Sequence, residues 1–89
     1  VGAQQFNGRI SVILYKEDNI YYAYCEALDI IGYGNDEDEA KQSFEIILDE
    51  ILNYDVPTGA ALPIPIGVIK TNLRTMGCTP KDLIDYMAQ

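Results

Sequence analysis

The sequence predicts an α+β domain: a three- to four-stranded antiparallel sheet, one long helix on one face of it, and a short C-terminal helix, in the order β-β-β-α-β-α. Three observations carry this. Two runs with a period of two residues flank a short polar turn. One later segment has a period near 3.6 and a clear helix start. The chain of 89 residues is the size of a single domain.

At this length a chain buries roughly 60–65% of its unfolded surface, enough for one modest core. Residues 1–89 therefore read as one domain, with its core over 9–70 and a short helical segment over 71–89. Residues 1–8, VGAQQFNG, read as a lead-in with a turn at Asn7-Gly8. In the next run Ile10, Val12 and Leu14 alternate with Ser11, Ile13 and Tyr15, which makes a strand buried on both faces for part of its length. Glu17-Asp18-Asn19 is a polar turn and IYYAYCEAL the returning strand, so the pair reads as a hairpin. Ile30-Ile31-Gly32-Tyr33-Gly34 is a short third strand, whose glycines suit a bulge or a sharp exit.

The helix start is the clearest local signal. Asp36 is placed to cap, and Glu39 follows three residues later, as in a capping box. Glu37, Asp38 and Glu39 fall where the helix dipole favours carboxylates. Ala40, Phe44, Ile47, Leu48 and Ile51 then form one apolar stripe, ending near Tyr54-Asp55. Glu45 and Asp49 lie side by side on the opposite face. Beyond Val56-Pro57-Thr58-Gly59, the apolar run 60–69 carries Pro63 and Pro65, so a fourth strand is expected after them, near Ile66–Lys70. Leu73 and Met76 suit a short helical turn closed by Gly77. Thr79, Pro80 and Asp82 mark the start of a last helix, with Leu83, Ile84 and Met87 as its stripe.

The charge balance narrows the function. Six basic against fourteen acidic residues give −8, and twelve of the acids lie between Glu17 and Asp55 with one lysine, Lys41. A domain so charged repels nucleic acid and anionic membranes, so neither is expected as a direct partner. Solubility explains the acid excess in part; the functional reading is attraction to a basic partner. There is no histidine, and no acid, base and nucleophile constellation stands out, so no catalytic residue is assigned and the chain does not read as an enzyme. Cys25 and Cys78 form neither a disulfide framework nor a zinc pattern, and read as reduced thiols of a cytoplasmic protein. Asp36-Glu37-Asp38 lacks the EF-hand pattern, so no metal and no cofactor are expected. No stretch has the length of a membrane span.

Five of the seven tyrosines fall in the strand region. Sheet packing accounts for them in part. Tyr22 and Tyr24 share one face of a strand, and together with Tyr33 they suit a contact surface, since tyrosine is enriched in interface hot spots. Base stacking on such a face is opposed by the negative charge.

The run from Arg9 to Tyr54 resembles the HicB family of antitoxins. The likeness lies in the order RISVILYKED, YYAYCEALDIIGYG and NDEDEAKQSFEIILDEIL. The family's Gly-Asp-Thr-x-x-Glu-Ala helix start is matched by Gly34-Asn35-Asp36-Glu37-Asp38-Glu39-Ala40, with Asp36 in the capping place of threonine. The proline common after the second strand is Glu26 or Ala27 here, and Leu28-Asp29-Ile30 stands for Leu-Pro-Gly.

The resemblance covers about half the chain. It implies a partial RNase H-like fold and, as partner, a small basic ribonuclease toxin of the HicA type, neutralised by covering its RNA-binding surface. Many members carry a separate DNA-binding domain; residues 71–89, with few basic side chains, read better as a cap on the fold than as a shrunken two-helix version of it over Leu73 to Met87. The expected partner-binding residues are Tyr22, Tyr24, Tyr33, Glu45 and Asp49. The alternative is a non-catalytic structural or oligomerisation module with a non-toxin partner. Homodimers or higher oligomers are compatible with both, with the run 60–69 and the sheet edge as candidate contacts.

Overall fold

A computed structural model describes residues 9–54, 58 and 66–88. The architecture is α+β, a four-stranded sheet with one long helix after its third strand. Strand β1 spans Ile10–Glu17, β2 Ile20–Cys25 and β3 Ile30–Gly34. Helix α1 spans Glu37–Tyr54 and α2 Ile66–Met76; a 3-10 turn at Pro80–Leu83 leads into β4, Ile84–Ala88. The strand order is β3-β2-β1-β4. The first three strands are antiparallel, and β4 runs parallel to β1.

Asp18 and Asn19 both take positive φ, 52° and 67°, and close the β1–β2 hairpin in two residues. Such loops match strand twist, and Asp and Asn tolerate the left-handed region best after glycine. In the connection to β3 the Asp29 amide donates to the Glu26 carbonyl, 3.2 Å, with Asp29 at φ 53°.

The cap on α1 forms as the sequence predicts. The Glu39 amide donates to Asp36 Oδ1 at 2.8 Å, and the Ala40 amide to the Asp36 carbonyl at 3.1 Å. Ala40, Phe44, Leu48 and Ile51 are buried, with Leu52 added to the stripe and Ile47 half-buried. They pack on the inner sheet face, where Ile10, Val12 and Leu14 of β1 meet Ala23 and Cys25 of β2 and Ile30 of β3.

The register through β3 is unbroken, so its glycines make no bulge, and Gly34 ends the strand before the bend into α1. A Cβ on Gly32 would meet the Phe44 amide nitrogen, and would stand 2.8 Å from the Ala40 carbonyl oxygen and 2.9 Å from Phe44 Cα. One on Gly34 would collide with Glu39 in the same way. Both glycines let the helix backbone lie directly on the strand.

The last two elements exchange their expected places. Residues 66–70 begin helix α2 instead of a strand, and 84–88 form a strand instead of a helix. In α2, Ile69 is buried and Leu73, four positions on, packs against the core. That spacing outweighs the β-branched residues, and Gly77 at φ 68° ends the helix. The Thr79 start is made: its amide and hydroxyl donate to Asp82 Oδ2 at 2.8 and 3.1 Å, and these bonds hold the Asp82 carboxyl below its usual pKa. It produces one 3-10 turn, after which Ile84 is extended. From there Ile84 points inward and Asp85 outward, and pairing with β1 satisfies the backbone. The fourth strand is therefore parallel to β1, at the sheet edge beside it. The candidate contact run 60–69 lies, up to Pro65, outside the described residues.

Candidate partner-binding site

Strand alternation sends every second side chain away from α1. Tyr22 pairs with Tyr15 on one side and Tyr33 on the other. Tyr24 pairs with Ile13 and Ile31, and Ile13 continues to Met87 on β4. The outer face thus carries two rows, Tyr33-Tyr22-Tyr15 and Ile31-Tyr24-Ile13-Met87. Nothing among the described residues packs on it. The rings of Tyr15 and Tyr22 stack with centroids 5.0 Å apart. Tyr33 is 65% exposed, Met87 47% and Ile31 43%. The rim is polar, with Ser11 and the exposed Arg9–Asp85 ion pair (3.1 Å) at one end and Glu17 at the other. Tyr22, Tyr24 and Tyr33 are therefore brought together, and Tyr15, Ile13, Ile31 and Met87 join them.

Glu45 and Asp49 lie elsewhere. They belong to α1, which covers the opposite face of the sheet. Asp49 is exposed and accepts from Asn53 Nδ2 at 2.9 Å. Glu45 is half-buried, and its Oε1 accepts from the Tyr86 hydroxyl at 2.8 Å. Lys41 Nζ lies 4.8 Å from the centre of the Tyr86 ring. This group ties α1 to β4 and gives Glu45 a structural role. An open groove beside it is lined by Gln42, Glu45, Ile46, Asp49, Thr79 and Lys81. The five expected contact residues form two surfaces. Only Tyr33, on the edge strand, borders both, through a second groove shared with Glu39, Gln42 and Ile46.

Burial, then the Glu45 carboxylate, pushes the Tyr86 hydroxyl far above the usual tyrosine range. The neutral hydroxyl is the form that the fold favours. Its contribution is complete below the unfolded pKa of about 10 and is lost as pH rises from there towards the folded value. Tyr86→Phe is expected to cost about 1 kcal/mol at pH 7. Wild type and variant should converge above a pH of about 10, by up to about 1.4 kcal/mol per pH unit. Urea unfolding at neutral and alkaline pH checks this; a gap independent of pH would show that the hydroxyl is neither buried nor held by a carboxylate in the fold.

No group of three or more His, Cys, Asp or Glu among the described residues is placed to hold a metal ion. Cys25 is fully buried, and burial raises its thiol pKa against the lowering effect of the Leu28 and Ala27 amides. Its thiol stays protonated and away from reagents. No helix among the described residues is long and apolar enough to cross a membrane. Compared with known protein families, with curated proteins and with solved structures, the chain matches none.

Proposed function

We propose that this domain is a HicB-like antitoxin, or a binding domain derived from one, that neutralises a small basic HicA-type ribonuclease by covering its RNA-binding surface. The observation that carries this reading is the distribution of charge on α1. Glu37, Asp38, Glu39, Asp49 and Glu50 are all exposed, while the one lysine of the helix sits over the Tyr86 ring. In this reading the carboxylates would take the place of RNA phosphates on the partner, and a surface so charged steers a cationic partner into contact. The resemblance over Arg9–Tyr54 supplies the identity of that partner.

The test is capture from lysate of the source organism at low and at high salt. The expected result is a small basic protein, released at high salt, whose ribonuclease activity falls on stoichiometric addition of this domain. A captured protein without such activity would remove the antitoxin reading. For the contact itself, Asp49→Lys with Glu50→Lys is expected to slow association about tenfold at low salt and much less at high salt, with the fold intact. Glu45 is unsuited to that experiment because its carboxylate holds Tyr86. Unchanged association rates would take the helix face out of the proposal. The second reading, an oligomerisation module, is favoured by a different observation, the exposed Ile31, Tyr33 and Met87 on the outer sheet face.

A further inference from the structure

We infer that the outer face of the sheet is the contact between two copies of this chain, which pack face to face with α1 on the outside of each. The inference does not rest on the antitoxin reading.

The composition of the face comes first. A sheet with one face in water alternates apolar inward and polar outward. Here the outward positions of the three antiparallel strands include Ile13, Tyr15, Tyr22, Tyr24, Ile31 and Tyr33, and β4 adds Met87. None of these seven carries a charge at neutral pH. Among the described residues, the charged side chains along this face, Arg9, Asp85 and Glu17, stand at its rim. A cationic partner would gain no ion pair in the centre of this face and would lose hydration there. The occupant that fits is an uncharged apolar surface with a polar rim, and this chain presents one. A two-fold contact needs only that one patch be complementary to itself. The tyrosine row of one copy laid on the aliphatic row of the other meets that requirement.

The net charge of −8 is the obvious objection. Geometry removes it. Packed sheets stand about 10 Å apart. Each α1 lies about 10 Å beyond its own sheet, so the two acidic helices are about 30 Å from each other. That is nearly four screening lengths of about 8 Å at physiological salt. Edge-to-edge or helix-to-helix pairing would bring the same carboxylates much closer.

Size sets the strength. Four strands about 4.8 Å apart and five residues long make a face of about 19 by 17 Å. That is about 320 Å² in projection, with exposed Tyr33, Ile31 and Met87 adding relief, against about 800 Å² per partner in a standard interface. A contact of that size is at the weak end for stable complexes, so the dimer is expected to depend on concentration.

Sedimentation of the full chain over about 1–200 µM tests this. The expected result is a monomer–dimer equilibrium that persists at about 1 M salt, where charge contacts are screened. Ile31→Lys and Met87→Lys stand on opposite edge strands of the same face, and each is expected to weaken the dimer at least tenfold. Ile46→Lys, more exposed than either but on α1, is expected to leave it unchanged. Circular dichroism confirms that each variant is folded, and Tyr33→Lys replaces any that is not. A wild-type chain that stays monomeric at the top concentration overturns the inference. So does a dimer that survives Met87→Lys but not Ile31→Lys, which places the contact at the β3 edge, or one broken only by Ile46→Lys, which places it on the helix. A monomer whose Ile31→Lys variant loses a captured partner overturns it as well, and gives the face to that partner.

Discussion

Gly32→Ala is expected to destabilise the domain by about 3 kcal/mol, the upper part of the range for overpacking. For a domain of this size that lowers Tm by about 12–24 °C. The added methyl group is small, but the atoms that it meets cannot move aside. Phe44 N, Phe44 Cα and the Ala40 carbonyl oxygen all belong to the backbone of α1. Relief requires the whole helix to lift from β3, and with it Phe44, which is fully buried. Gly67→Ala is the matched control. It lies in helix α2, and nothing stands within 4 Å of the added carbon. There alanine restrains the unfolded chain and favours the helix, so a gain of about 0.5 kcal/mol is expected. Thermal and urea unfolding of the two variants give the comparison. Equal effects would mean that α1 does not lie as close to β3 as the structure has it.

Gly32 also shows what a sequence conceals. Its place in a short strand was readable, because β-branched and aromatic residues surround it. Its reason was not. The contact depends on α1 crossing β3 at backbone distance, and that follows from tertiary packing rather than from the residues beside the glycine. The parts that were legible are local. The β1–β2 hairpin, the Asp36 cap and the stripe from Ala40 to Ile51 each rest on neighbours in sequence, and each is found.

The candidate site divides along the same line. Alternation within β2 and β3 is a local property, and it brings Tyr22, Tyr24 and Tyr33 to one face. Joining Glu45 and Asp49 to them needed the side on which α1 packs, and there the five residues separate. Tyr86 was out of reach entirely, since its bond to Glu45 spans 41 positions. Ile13, Ile31 and Met87 enter the outer face through strand register. For Met87 that register exists only once β4 is known to lie beside β1.

The C-terminal segment supplies the second large expected effect. Read as a helix, it places Leu83, Ile84 and Met87 on one stripe, and truncating Ile84 or Met87 should cost similar amounts. Read as a strand, it sends them to opposite faces. Ile84 is 5% exposed, pairs with Ile10 and belongs to the core, whereas Met87 is half open on the outer face. Ile84→Ala is therefore expected to cost about 2–4 kcal/mol. Met87→Ala should cost about 0.5 kcal/mol or less when measured at dilution. The sequence holds the competing signals side by side. Thr79-Pro80 is a sound helix start, but Ile84-Asp85-Tyr86-Met87 alternates with period two. The cap sets only the first turn. Beyond it, the edge of β1 offers backbone partners from Ile10 to Leu14. A short helix over 80–88 would instead leave its last carbonyls without backbone partners. Comparable losses for Ile84→Ala and Met87→Ala, measured by urea unfolding of the monomer, would restore the helix and remove β4 from the sheet. A loss confined to Ile84→Ala would confirm β4 as a strand that turns Ile84 to the side covered by α1 and Met87 to the outer face.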